Sequence, residues 1–442
     1  MSTLFGGTAH VGPASNRAWT TMCAAVSSNV GVRSATESPD MIESTIWMVS
    51  LAKGISTLGN VAFSTGLLWV FVHEYDDVRT AGFMLAVAGV VAIVLAPGVG
   101  ALLDRRRGML LTLGADYGAA AVLLAVILSG LAHSQAGMWI AVLATSIGGT
   151  AYGPGLQMLV SRTVPNEQRR QVNARMHSAV RIGLILGPMA GGGVVAISGQ
   201  VGLLVFDAAT FLLSGIIITV IYYTPSVRVH VHADRGGQGF SFKDSLQFMF
   251  ENRIVRWVLL VGAAVNMLTS AFAILLPVLA ERISQSGIAY GILYSVYQCG
   301  MLLVAIVLSS ERTTKFAAGE DSKVVAGSLA LFAAGFLGAV AVQSIWLLGV
   351  SIFLIGAGLS ATSLFADTRL MTSVPIDMQG RVFSVSGSIL ASLRPAGNAF
   401  GGLLVGVSTL LVGVIATVAA ASCAVAIAVR KPLDTTPQGA DR

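Results

Sequence analysis

Five charged residues stand inside long apolar stretches of the chain: Lys53, Asp116, Arg181, Asp207 and Arg394. A charge in hydrocarbon is costly, and residues kept there serve proton relays, ion pairs or substrate contacts. Asp116 and Asp207 are the candidate proton-coupling groups, because coupling needs a carboxylate whose proton affinity changes with its surroundings. The alternative for each is a structural ion pair, for Asp116 with Lys53, Arg181 or the arginines at 105–107. Arg394, followed directly by Pro395, fits contact with an anionic substrate group, and Arg181 is a second cation of that kind. Lys53 also reads as a side chain that snorkels to the inner surface. Asn60, Tyr152, Asn266, Tyr294 and Gln298 could line a cavity beside these cations, as could Trp69, Met267, Phe272 and Tyr297. For each of these, ordinary helix packing is the alternative.

Nothing in the sequence adds a catalytic set. It has no P-loop, no HExxH and no GxSxG elbow. Gly356-x-Gly358-x-x-Ala361 echoes a dinucleotide motif but follows no strand, so it reads as packing. Cys23, Cys299 and Cys423 are odd in number and far apart, which supports neither a disulfide framework nor a zinc site. The sequence therefore predicts no enzyme, no metal and no bound cofactor.

The elements that must carry these residues follow from composition. Of 442 residues, 55% are hydrophobic and 11% charged, too little charge to cover a water-facing surface of this size. The apolar residues come in runs of about 20, the length a helix needs to cross a hydrocarbon slab of ~30 Å. Twelve spans are predicted, near 46–72, 81–103, 109–129, 138–160, 173–197, 202–223, 254–279, 289–309, 323–342, 345–366, 383–405 and 408–429. Residues 1–45 read as a disordered cytoplasmic tail; Met41, just before the first span, raises the question of whether residues 1–40 are translated. The break at 224–253 reads as a cytoplasmic linker carrying an amphipathic stretch from Phe240 to Phe250, and 431–442 as a second tail. The division is thus a six-span half at 46–223 and another at 254–430.

Charge sets the expected orientation. With the N-terminus in the cytoplasm, the arginines at 105–107 and Arg162, Arg169, Arg170, Arg228, Arg253, Arg312, Arg369, Arg381 and Arg430 all fall inside, whereas only Arg79 and Arg282 fall outside. Positive charge spread between spans in this way excludes a nucleic-acid surface, which would gather it into one patch. The halves also repeat at an offset of 210: Val164-Pro165 aligns with Val374-Pro375, Glu167 with Asp377, Gly187 with Gly397, and Gly191-Gly192 with Gly401-Gly402. Parallel repeats of six helices, with a substrate site at their interface, are one architecture of secondary transporters.

Two motifs carry mechanism. Between spans 2 and 3, Gly100-Ala101-Leu102-Leu103-Asp104-Arg105-Arg106-Arg107-Gly108 resembles the loop motif of the major facilitator superfamily. The glycine lets a neighbouring helix approach, and Asp104 with Arg105, Arg106 and Arg107 could latch two helices in one conformation. The alternative is that the arginines are orientation charges alone. In span 5, Gly183-x-x-x-Gly187-Pro188-x-x-Gly191-Gly192-Gly193 is similar to the motif of the superfamily's antiporter and exporter branches. Small residues allow close helix contact and Pro188 removes a backbone hydrogen bond, which suits a rocking interface. Further stretches, among them Tyr152-Gly153-Pro154, Phe206-Asp207-Ala208-Ala209-Thr210-Phe211 and Gly380-Arg381-Val382, resemble the bacterial exporters that include enterobactin and macrolide-efflux proteins.

This resemblance implies an all-α integral membrane protein, with twelve transmembrane helices in two six-helix pseudo-repeats. It implies a monomeric, proton-driven exporter of small amphipathic compounds in a bacterial cytoplasmic membrane, with both termini cytoplasmic. Its partners would be a small-molecule substrate, protons and the lipid bilayer. Relatives of this kind often carry an acid after the glycine of span 1, whereas Gly59 is followed by Asn60. Uptake or facilitated diffusion of a metabolite, and a non-transporting scaffold or sensor, are the alternative readings.

Overall fold

In lipid every backbone polar group must be satisfied within the segment, so apolar runs of this length have helix as their outlet. The computed structural model describes residues 39–103, 108–223, 242–308, 321–375 and 378–430. The first four long helices are α1 (Pro39–His73), α2 (Val78–Leu103), α3 (Gly108–Leu128) and α4 (Gln135–Thr163). Arg169–Tyr223 is one continuous helical stretch kinked at Gly199, where φ is 60° and ψ −155°. Only glycine adopts that backbone geometry without strain, so the chain reverses there and residues 169–198 (α5) and 200–223 (α6) are separate spans. A short helix, α7 (Phe242–Glu251), precedes α8 (Arg253–Ser284), α9 (Gly287–Leu308), α10 (Asp321–Ala341), α11 (Ile345–Ser373), α12 (Gln379–Val405) and α13 (Thr409–Arg430).

The first helix begins at Pro39, seven residues before the predicted start of span 1, so the predicted 1–45 tail ends inside α1. Residues 45–442 form one compact unit. Its surface carries large apolar side chains such as Leu128, Ile197 and Trp346, each more than four-fifths exposed. Such a surface is stable only against lipid or another apolar partner. Among the described residues, nine helical stretches are long and apolar enough to cross a membrane, the joined α5–α6 counting once. The two long helices that fall short are α4, with Thr145, Ser146, Gly148, Gly149 and Thr150, and α12, with several serines and Arg394.

The sequence repeat is a repeat of packing. Gly187 and Gly191 of α5 press on Val61 and Ala62 of α1, within the first half. Their counterparts Gly397 and Gly401 of α12 press on Met267 and Ala271 of α8, within the second. The next residue in each motif crosses between halves: Gly192 meets Gly287 of α9, and Gly402 meets Gly82 of α2. Each glycine-rich helix therefore grips its own half with one face and the other half with the next.

Candidate functional site

The contacts between the halves gather at one end of the bundle. The His73 imidazole lies 2.9 Å from the Glu281 carboxylate, joining the ends of α1 and α8. Trp69, one turn back, stacks on His73 at 5.3 Å and on Tyr290 of α9 at 5.6 Å. Arg79 donates to the Gly406 carbonyl at 2.8 Å, and Ser295 of α9 donates to the Ile185 carbonyl of α5 at 2.6 Å. Gly89 packs on Pro395. All of these lie toward the loops at 74–77, 285–286 and 406–408, the end opposite the basic loops.

Toward the middle lies a cavity of about 410 Å³, within the size range of small-molecule sites. It is lined by α1, α2 and α4, including Lys53, Ser56, Asn60, Phe63, Ser146 and Tyr152. The polarity that separates α4 from the other spans is thus spent on the cavity wall. Tyr152 is nearly fully buried and lies beneath Lys53, whose Nζ is 5.2 Å from the ring centroid. Behind Tyr152, Ser214 of α6 lies 3.1 Å from the Tyr152 hydroxyl and donates to Asp116 Oδ2 at 3.2 Å. Asn60, also in the lining, donates to the Ser56 carbonyl at 2.7 Å.

Asp116 forms no ion pair among the described residues. Its partner is a neutral serine, and Oδ1 has no partner among the described residues, which corrects the expected ion pair with Lys53 or Arg181. Asp207 is fully buried, and neither side-chain oxygen has a partner among the described residues. The two carboxylates occupy separate places on α3 and α6. Arg181 is exposed on α5, apart from the residues that line the cavity.

In the second half, Arg394 of α12 donates through Nε to Asn266 Oδ1 of α8 at 3.0 Å. Asn266 is oriented by its own Nδ2, which donates to the Gly262 carbonyl at 2.8 Å. Arg394 is also within electrostatic range of Tyr294 and Tyr297 of α9. Tyr294 and Gln298 are partly exposed, as a cavity wall requires. Phe272 is not: it is 1% exposed, packed between Tyr297 and Phe336, and belongs to the core. Trp69, also buried, belongs to the contact between halves.

The span 5 motif is placed throughout. Gly183, Gly187 and Gly191 face α1, whereas Pro188 and Gly192 face α9. Of the loop motif Gly100 to Leu103 and Gly108 are described: among the described residues no atom stands within 4 Å of where a Gly100 side chain would begin. Asp104, Arg105, Arg106 and Arg107 lie outside the described residues. Sequence reasoning missed Ser214, His73 and Glu281. A serine in a span carries no distinctive signal, and the other two gain meaning only once the halves are brought together.

Two six-helix halves that grip each other at one end, with a cavity walled by helices of the first, define a secondary transporter fold. The sequence profile described as Major Facilitator Superfamily matches residues 49–319, and the chain belongs to that superfamily. It is a multi-pass membrane transporter. The chain is 27% identical over 299 residues to the enterobactin exporter EntS of Shigella boydii serotype 18, covering 62% of this chain and 68% of the exporter. The EntS of Escherichia coli O139:H28 matches to the same extent. Among solved structures it shares its fold with the POT family transporter PepTSo (TM-score 0.67, 10% identity, 89% of this chain and 99% of that one). It shares it also with the nucleoside transporter NupG (0.66, 14%, 87% and 98%). A bacterial homolog of the lysosomal transporter Spinster, in an inward-facing and unoccupied conformation, matches with 0.66, 12%, 90% and 95%.

Proposed function

We propose that the chain is a proton-coupled exporter of small amphipathic compounds in a bacterial cytoplasmic membrane, working by alternating access as a monomer. The observation that carries this is the Asp207 carboxylate, fully buried with both oxygens unpartnered among the described residues. An anion there would be held without compensation, at a cost of several kcal/mol. The group can release its proton only when its surroundings change, and a rocking of the two halves supplies that change. Export, rather than uptake, is the direction in which the enterobactin exporters point. On the positive-inside reading the end away from the contacts between the halves faces the cytoplasm, where an exporter loads.

The polar cavity speaks against a scaffold. Facilitated diffusion is favoured by one feature, the uncharged Asn60 on the cavity wall. The test is energised accumulation of neutral and charged amphipathic probes in inverted membrane vesicles, with and without an uncoupler, beside Asp207→Asn. Uncoupler-sensitive accumulation that the variant loses supports the proton-driven exporter. Equilibration that ignores the uncoupler and survives Asp207→Asn supports facilitated diffusion.

A further inference from the structure

The cavity of the first half holds a cation, Lys53, that forms no ion pair among the described residues. Its ammonium stands over the face of Tyr152. The acids within the spans are held back from the cavity: Asp116 lies behind Tyr152 and Ser214, Asp207 is fully buried, and Asp367 sits in the last turns of α11.

Unpaired cations within spans are costly and are retained where a ligand meets them. Lys53 is a mobile point charge beside an aromatic face, in a wall that also carries the Phe63 ring. A flat apolar body can lie on such rings while its charge meets a cation.

We infer that the cavity selects organic anions, carboxylates or phenolates carried on an aromatic body, with Lys53 as the anion-recognising group. This rests on the reading of the cavity as the transport site and narrows its substrate class. The test uses the full chain in lipid nanodiscs and three matched probes: 2-naphthoate, the neutral 2-naphthamide and the cationic 2-naphthylmethylammonium. Their binding is read by equilibrium dialysis. Naphthoate is expected to bind about tenfold more tightly than the amide, the effect of one charge-assisted contact, and the ammonium most weakly. Lys53→Gln lowers that preference, whereas Lys53→Arg keeps part of it.

Equal binding of the three probes, tighter binding of the amide or ammonium, or no binding of naphthoate overturns the inference in the unmodified protein, whether or not the variants fold. A preference that survives Lys53→Gln in folded protein overturns the assignment of Lys53. Anion-selective binding without vesicle accumulation leaves the anion site standing and removes the exporter reading. Accumulation of the amide or ammonium but not of naphthoate does the reverse.

Discussion

A side-chain carbon on Gly402 would lie 3.1 Å from the Gly82 Cα, so α2 and α12 meet backbone to backbone where the two halves join. The atoms around it, the Arg79 and Val78 carbonyls among them, belong to main chain and cannot swing away. Gly402→Val should therefore disfavour this closed end by about 1–3 kcal/mol, the usual cost of overpacking. The population should move toward the opposite conformation. A cysteine placed at Ser64 on the cavity wall would report it, with slower labelling from the basic-loop side and faster labelling from the other. Unchanged labelling from both sides would show that the contact does not hold the end closed.

The Ser214 hydroxyl links Tyr152 to Asp116, whose second oxygen is already without a partner. Ser214→Ala should leave that carboxyl wholly unsatisfied and destabilise the first half by about 1–3 kcal/mol. Adding Asp116→Leu should recover part of the loss, because an apolar pair leaves no polar group stranded. Thermal unfolding in detergent measures both. A single variant as stable as the unmodified protein would mean that Asp116 finds another partner.

Asp77 caps α2, accepting from the Thr80 amide at 3.0 Å and the Thr80 hydroxyl at 2.6 Å. The Thr80 hydroxyl, ahead of the remaining causes, holds its carboxyl below the usual carboxylate range. With the folded value depressed, the stabilisation is present above the ordinary carboxylate value of 3.8 and is lost as pH falls through the lower folded one. Asp77→Ala should cost about 1 kcal/mol at neutral pH, as loss of a helix cap does. That difference should vanish in acid. A pH series of thermal unfolding, variant against parent, checks it, and a gap that persists at low pH would contradict the cap.

Most of the fold was legible, because lipid leaves the backbone few choices: apolar runs became helices, and the 210-residue offset became a repeat of contacts at Gly187, Gly191, Gly397 and Gly401. The helix starts were less legible. Nothing apolar marks Pro39 as the beginning of α1, since its first turns extend past the hydrophobic stretch. In the site, Lys53 and Tyr152 were visible as residue types, but their pairing depends on α1 and α4 crossing at one depth. Asp116 could have paired with Lys53 or Arg181 by residue type, yet packing set it against Ser214 on α6. His73 and Glu281 are 208 positions apart, a relation that no local pattern encodes.

That last pair offers the most direct test of alternating access. Cysteines at positions 73 and 281, in a chain whose Cys23, Cys299 and Cys423 are replaced by alanine, would be joined by a short reducible bifunctional thiol reagent. If the halves must part at this end in every cycle, cross-linking should abolish accumulation in vesicles and reductant should restore it. Transport that continues at full rate with the link intact would contradict the account.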